Sequence, residues 1–261
     1  MRRRLDAELV RRGLVASRAR AVEAVSAGRV LVGQGPATTP ARLVDAGEAI
    51  TVLPPREEYV SRGGKKLAAG LDAFGVDPRG LHAVDVGAST GGFTDCLLQR
   101  GAQHVVAIDV GRGQLAWSLR QDPRVTVLER TNVRDLHTLD PPADLCVADL
   151  SFISLRTVAP NLLDMSTPMA DFVLLVKPQF EAGRERVGRG GIVRDPEVHL
   201  DVLRDVVAGL EEAGLGVCGV VPSPLRGADG NVEFLARGRR ARATVTDATL
   251  TAAVRQSQDA A

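Results

Sequence analysis

The sequence predicts an α/β protein, a doubly wound Rossmann-like sheet preceded by a small α+β module, and three observations carry that prediction. From residue 67 onward, apolar strand-like runs alternate with helical patterns. The first of those runs ends in a turn of small residues, Gly87-Ala88-Ser89-Thr90-Gly91-Gly92, of the kind that opens a helix at the carboxyl edge of a parallel sheet. Ahead of residue 67 both the period and the charge differ: residues 1–66 carry 11 Arg and 2 Lys against 7 Asp and Glu, a net +6, while residues 67–261 carry 20 basic against 25 acidic residues, a net −5.

In the basic head, Leu5, Leu9 and Val10 recur at helical spacing before Gly13, which predicts a helix over 5–12. Ser17 caps a second helix whose apolar positions are Ala21, Val22 and Val25 and whose other face carries Arg18 and Arg20. Arg29 to Gly33 and Ala49 to Leu53 then read as strands. A head over 1–55 has a very small core, so it leans on a neighbour or works by its surface. Pro54-Pro55-Arg56-Glu57-Glu58 reads as a stiff polar linker, taken over 56–62.

The larger domain, taken over 63–245, has predicted strands near 83–87, 104–109, 125–128, 144–149, 171–177, 215–222 and 232–236. Residues 246–261 are expected to fray, as chain ends usually do.

Composition narrows the function classes. The chain of 261 residues is 44 % apolar and 25 % charged, as a soluble globular protein is, and no run approaches the ~18 apolar residues that span a bilayer. The three cysteines, Cys96, Cys146 and Cys218, form no CxxC pair, so neither a disulfide framework nor a metal site is expected and a reducing cytoplasm fits best. The one-signed excess of Arg on the head points to nucleic acid as partner. With 30 Arg and only Lys65, Lys66 and Lys177 as lysines, each lysine invites the question of why an amine is needed there.

The chemistry gathers at strand ends. Val84-Asp85-Val86-Gly87 leads into the small-residue turn and on to Phe93, and the next strand ends at Asp109-Val110, where a carboxylate can accept both ribose hydroxyls of a nucleoside. A nicotinamide dinucleotide site uses the same scaffold, but Gly87-x-x-x-Gly91-Gly92 departs from G-x-G-x-x-G. Asp85 before the first glycine suits a cofactor with a cation or amine near the turn, which is S-adenosylmethionine. After the third strand, Asn132 or the backbone of Val133 is expected to hold the adenine, with Asp135 as a further candidate. Two more strands end in Asp149-Leu150-Ser151-Phe152 and Lys177-Pro178-Gln179-Phe180, while Lys66 opens a helix and Glu233 flanks the final strand.

Residues 5–53, with Gly13-Leu14-Val15-Ala16-Ser17-Arg18 and Gly28-Arg29-Val30-Leu31-Val32-Gly33, resemble the RNA-binding domain named for ribosomal protein S4. Lys66, Asp149, Lys177 and Glu233 are similar, in type and order, to the Lys-Asp-Lys-Glu tetrad of FtsJ/RrmJ-like RNA 2′-O-ribose methyltransferases. The two together resemble the TlyA family of rRNA methyltransferases.

The resemblance implies transfer of a methyl group from S-adenosylmethionine to a ribose 2′-hydroxyl, of cytidines in 16S and 23S rRNA, on ribosomal subunits. It makes Lys66, Asp149, Lys177 and Glu233 catalytic, with Lys177 the base, favoured in its neutral form by desolvation and by cationic Lys66. Asp85, Gly87, Ala88, Ser89, Thr90, Gly91, Gly92, Phe93, Asp109, Val110, Asn132, Val133 and Asp149 would hold the cofactor. Arg3, Arg4, Arg11, Arg12, Arg18, Arg20, Arg29 and Arg62 would meet RNA, joined by Arg184 and Arg186 from a Gly- and Arg-rich loop expected as a lid. The competing readings are a non-catalytic RNA-binding assembly factor and a membrane-active haemolysin.

Overall fold

The computed structural model describes residues 2–53 and 58–259 and divides the chain into two compact units, Met1–Glu57 and Glu58–Ala261. The linker positions Pro54, Pro55, Arg56 and Glu57 lie outside the described residues.

In the first unit a short strand β1 (Arg3–Arg4) runs into α1 (Leu5–Arg11), followed by α2 (Arg18–Ser26), whose cap is Ser17 accepting from the Arg20 N–H. The strands β2 (Val30–Val32), β3 (Gly35–Pro36) and β5 (Ile50–Val52) form a small antiparallel sheet, and β4 (Leu43–Val44) pairs with β1. Leu5, Leu9, Ala21, Ala24, Val25, Val30, Val32 and Val44 fill the core. Of the apolar positions the spacing predicts, Leu5, Leu9, Ala21 and Val25 are buried, Val10 is half-buried, and Val22 is exposed, its place on the buried face of α2 taken by Ala24.

The second unit contains α3 (Gly63–Phe74), β6 (His82–Val86), α4 (Gly92–Gln99), β7 (His104–Asp109), α5 (Trp117–Arg120), β8 (Val125–Glu129), β9 (Ala143–Ala148), α6 (Leu155–Asp164), β10 (Ser166–Val176), α7 (Pro178–Glu181), α8 (Pro196–Glu212), β11 (Gly216–Pro222), β12 (Phe234–Arg239) and α9 (Asp247–Asp259). Seven strands lie in the order β11-β12-β10-β9-β6-β7-β8, parallel except for β12, which runs antiparallel between β10 and β11.

Strand alternation sorts the side chains into two cores. Phe172, Leu174 and Val176 of β10 face α6, α8 and α9, while Val173 and Leu175 face α3 and α4. All the parallel strands therefore present their carboxyl ends along one edge, where ligands bind in such sheets.

Two sequence expectations need correction. Residues 58–62, expected as linker, belong to the second unit. There Tyr59 is buried beneath Gly64, the Val60 N–H donates to Asp95 and the Glu58 carbonyl accepts from Gln99. The end expected to fray is instead α9, because Leu250, Ala253, Val254 and Ser257 fall at i, i+3, i+4 and i+7 and bury one face against α8 and β11.

Candidate active site

At the carboxyl edge, β6 ends under a turn that leaves no space for a larger residue. Gly87 has φ +85°, and a Cβ on it would stand 2.5 Å from the Asp149 carbonyl oxygen. The turn borders two adjoining clefts. The larger, about 500 Å³, runs past Asp109, Val110, Asn132, Val133 and the segment from Leu150 to Ile153. The smaller, about 200 Å³, is bounded by Ser61, Arg62, Lys66, Ala88, Thr90, Gly92, Phe93 and Arg226. Gly87, Ser89 and Asp149 wall both.

Asp109 is already oriented by the backbone. Its Oδ2 accepts from the Ser89 N–H at 2.8 Å and its Oδ1 from the Gly111 N–H at 2.7 Å. Each oxygen keeps a second lone pair for a ligand hydroxyl. Asn132 Oδ1 accepts from the Arg134 N–H, fixing the turn beside Val133, and Asp135 does not border the cleft.

Asp85, expected to meet the cofactor, is fully buried and borders neither cleft. One residue before the strand end, alternation turns it under α4, where its Oδ2 accepts from both the N–H and the hydroxyl of Thr94, at 2.9 and 2.7 Å. Its Oδ1 has no partner among the described residues. Burial is the main cause that pushes its carboxyl up to about 7, against the hydrogen bonds from Thr94. Asp85 thus supports the turn from below. Gly91 likewise lies away from both clefts, packed on Leu115 and Leu119.

The four tetrad residues come together as two ion pairs. Lys66, 8 % exposed at the start of α3, meets the buried Glu233, while Lys65 next to it faces outward. The Lys177 Nζ lies 2.5 Å from Asp149 Oδ1 and donates to Ser151 Oγ at 3.1 Å. The charged group nearest Lys177 is therefore a carboxylate, not the Lys66 cation that sequence reasoning expected. Lys66 and Asp149 wall the smaller cleft, and each is paired to one of the other two.

The arginines divide into paired and unpaired. In the head, Arg4 and Arg18 bind Asp6, and Arg11 and Arg12 bind Glu8. Hydrogen bonds from Arg4 and from Arg11, respectively, are the leading cause that holds both carboxyls below their ordinary range. Arg20 pairs with Glu23, and Arg29 lies 4.0 Å from it. Arg12 also spans to the carbonyls of Asp45, Ala46 and Glu48, which makes it a brace of the head rather than a free cation. Arg3 is exposed and has no carboxylate partner among the described residues.

The segment expected as a lid is α7 followed by two single helical turns. Glu181 is buried and accepts from Ser154 Oγ and the Leu155 N–H, capping α6. Arg186 is tied to the Ala182 carbonyl and Asp205, and the side chain of Arg184 lies outside the described residues.

Sequence reasoning missed Gln114, Leu150, Ser151 and Arg226 as wall residues. It also missed Phe152, which is 90 % exposed at positive φ (65°) with its ring 4.9 Å from that of Phe180. A lone polar or apolar residue in a loop gives no periodic signal, but positions close behind a strand-end acid mark the edge where such walls form.

An FtsJ-like methyltransferase model matches residues 59–240 and an S4 domain model matches residues 3–50. The chain belongs to the FtsJ-like methyltransferase family. This FtsJ-like methyltransferase is 52 % identical over 236 residues to the 16S/23S rRNA (cytidine-2′-O)-methyltransferase TlyA of Mycobacterium tuberculosis, a match covering 89 % of this chain and 88 % of that one. It is 38 % identical to Hemolysin A of Brachyspira hyodysenteriae, over 89 % and 98 % of the two chains. Among solved structures, one from Streptococcus thermophilus with a hemolysin name superposes with a TM-score of 0.76 at 37 % identity, over 99 % of this chain and 96 % of that one.

The FtsJ-like methyltransferase takes S-adenosylmethionine as cofactor, and its clefts fit that molecule. A nucleoside-sized recess carries a preorganised carboxylate at Asp109, and a smaller polar recess adjoins it across a glycine that nothing larger could replace.

Proposed function

We propose that the protein methylates the 2′-hydroxyl of a ribose in ribosomal RNA, with cytidine as the target nucleoside. The observation that carries this reading is the pairing of Lys177 with Asp149 and of Lys66 with Glu233, with Asp149 and Lys66 bordering the same cleft. S-adenosylmethionine supplies an electrophilic methyl carbon. What a ribose hydroxyl lacks is nucleophilicity, and a side chain that receives its proton as the new O–C bond forms supplies it. Lys177 Nζ takes that proton, and Asp149, 2.5 Å away, stabilises the resulting ammonium. Lys66, fixed by Glu233, presents a second cation to the oxygen, and the rigid strand ends hold the groups in line. Phe152 offers a base a stacking surface at the mouth of the larger cleft.

The head supplies RNA affinity, as an S4 domain with an exposed basic surface suits. A ribosomal substrate implies a cytoplasmic protein that meets ribosomal subunits. The haemolysin reading has less support, since no helix among the described residues is long and apolar enough to cross a membrane.

The test is Lys177→Arg. A guanidinium is permanently protonated and cannot receive the proton, so methyl transfer to rRNA falls by at least about 10²-fold while cofactor affinity by calorimetry stays the same. Near-normal turnover in that variant overturns the assignment.

A further inference from the structure

This inference rests on the RNA methyltransferase reading above and extends it to a second nucleotide. Beside the active cleft lies another cavity, about 430 Å³, within the size range of small-molecule sites. Its floor is apolar, with Val193 and Val232, and one wall is the last turn of α9, with Ser257 and Gln258. Arg226 belongs to both spaces, bordering the smaller cleft with Lys66 and the cavity with Arg194. Arg62 in turn donates to the Arg226 carbonyl at 2.7 Å.

Among the described residues, none of Arg62, Arg226 and Arg194 has a carboxylate within 4.0 Å. Arg186, Arg204 and Arg237 in the same unit all do. A row of uncompensated guanidiniums thus leads from the tetrad into the cavity. Two acceptors there also lack partners among the described residues. His199 gives its Nε2–H to the Val193 carbonyl at 3.0 Å, leaving Nδ1 buried and unpaired. Asp229 stands at the rim, exposed and unpaired. Burial lowers the His199 pKa, so the ring is neutral and Nδ1 is an acceptor.

We propose that this cavity binds the nucleotide adjacent to the methylated one on the same RNA strand. Its phosphates lie along Arg62, Arg226 and Arg194, and its base or ribose rests on the apolar floor. Its hydroxyls or exocyclic amine donate to Asp229 and, with a small shift of the ring, to His199 Nδ1. An RNA strand fits these cations better than a free anion does, because Arg226 borders both spaces and so joins the active cleft to the cavity along one path that a continuous backbone can follow.

The test uses the full-length protein with two surface variants, Arg194→Glu and Gln258→Trp, the second filling the cavity from an exposed position of α9. The control is Arg242→Glu, beside Gly216 at the opposite end of the sheet. With a minimal rRNA substrate, Arg194→Glu and Gln258→Trp should each raise the RNA KM about tenfold, with cofactor affinity unchanged. Arg194→Glu should also lower the slope of log affinity against log salt by about one, the loss of one phosphate contact. The control should change neither.

Wild-type RNA KM and salt slope in both variants overturn the proposal. So does a loss of cofactor affinity as large as the loss of RNA affinity, which would make the cavity only a support for the cleft. If the wild-type protein methylates no rRNA, the proposed function falls. Binding of a fluorescein-labelled RNA pentamer to wild type and Arg194→Glu still decides the cavity.

Discussion

Asp85 shows how one residue can mislead a sequence and inform a structure. Its place before the glycine turn suggests a cofactor contact, but strand alternation buries it under α4 with an unpaired oxygen. The folded protein therefore holds its proton more tightly than the unfolded chain does. The stability this contributes is fully present below the unfolded value and is lost as pH rises through about 7. Asp85→Asn should flatten that part of the profile, so thermal melts from pH 4 to pH 8 would show a decline in wild type that the variant lacks. A matching decline in the variant would assign it to other groups. The tetrad, by contrast, was legible as residue types in order, and burial distinguishes Lys66 from exposed Lys65. What the sequence could not carry was who pairs with whom, because Lys66 and Glu233 are 167 residues apart and Lys177 meets a carboxylate across two strand ends.

Among the elements, the parallel strands were legible to within one or two residues because their apolar runs are nearly continuous, as buried parallel strands are, except that β10 starts five residues early, at Ser166, ahead of an irregular stretch before Asp171. The last strand was displaced toward the C terminus, to Phe234–Arg239, because Arg237 and Arg239 in it are offset by Asp171. Helix α9 escaped notice for a different reason. Its apolar stripe is thin, with Leu250 its largest member, and position at the chain end outweighed spacing. That stripe is nonetheless structural: Leu250 is 4 % exposed, and Leu250→Ala should cost about 2–3 kcal/mol in urea unfolding. A cost near zero would mean that the helix is only loosely docked.

At the scale of the whole chain, the near-neutral charge conceals two units of opposite sign, and the structure refines what the positive one can do. Most head arginines already bind Asp6, Glu8 or Glu23, so few are free for phosphate. Deleting residues 1–53 should weaken rRNA binding at least about tenfold while leaving calorimetric cofactor affinity unaltered. Because the pairing leaves few free cations, the salt slope lost with the head should be smaller than its arginine count suggests. Unchanged RNA affinity would assign recognition to the catalytic unit alone.

The wall between the two clefts is a single layer, Gly87 against the Asp149 carbonyl, with Ser89 beside it. Two recesses separated by so little form one composite receptor. A synthetic compound joining a nucleoside for the larger recess to a short anionic arm for the smaller, where Arg62, Lys66 and Arg226 stand, would occupy both without spanning solvent. Its second contact would form at the high effective concentration that a short tether creates, so its affinity should far exceed that of either half.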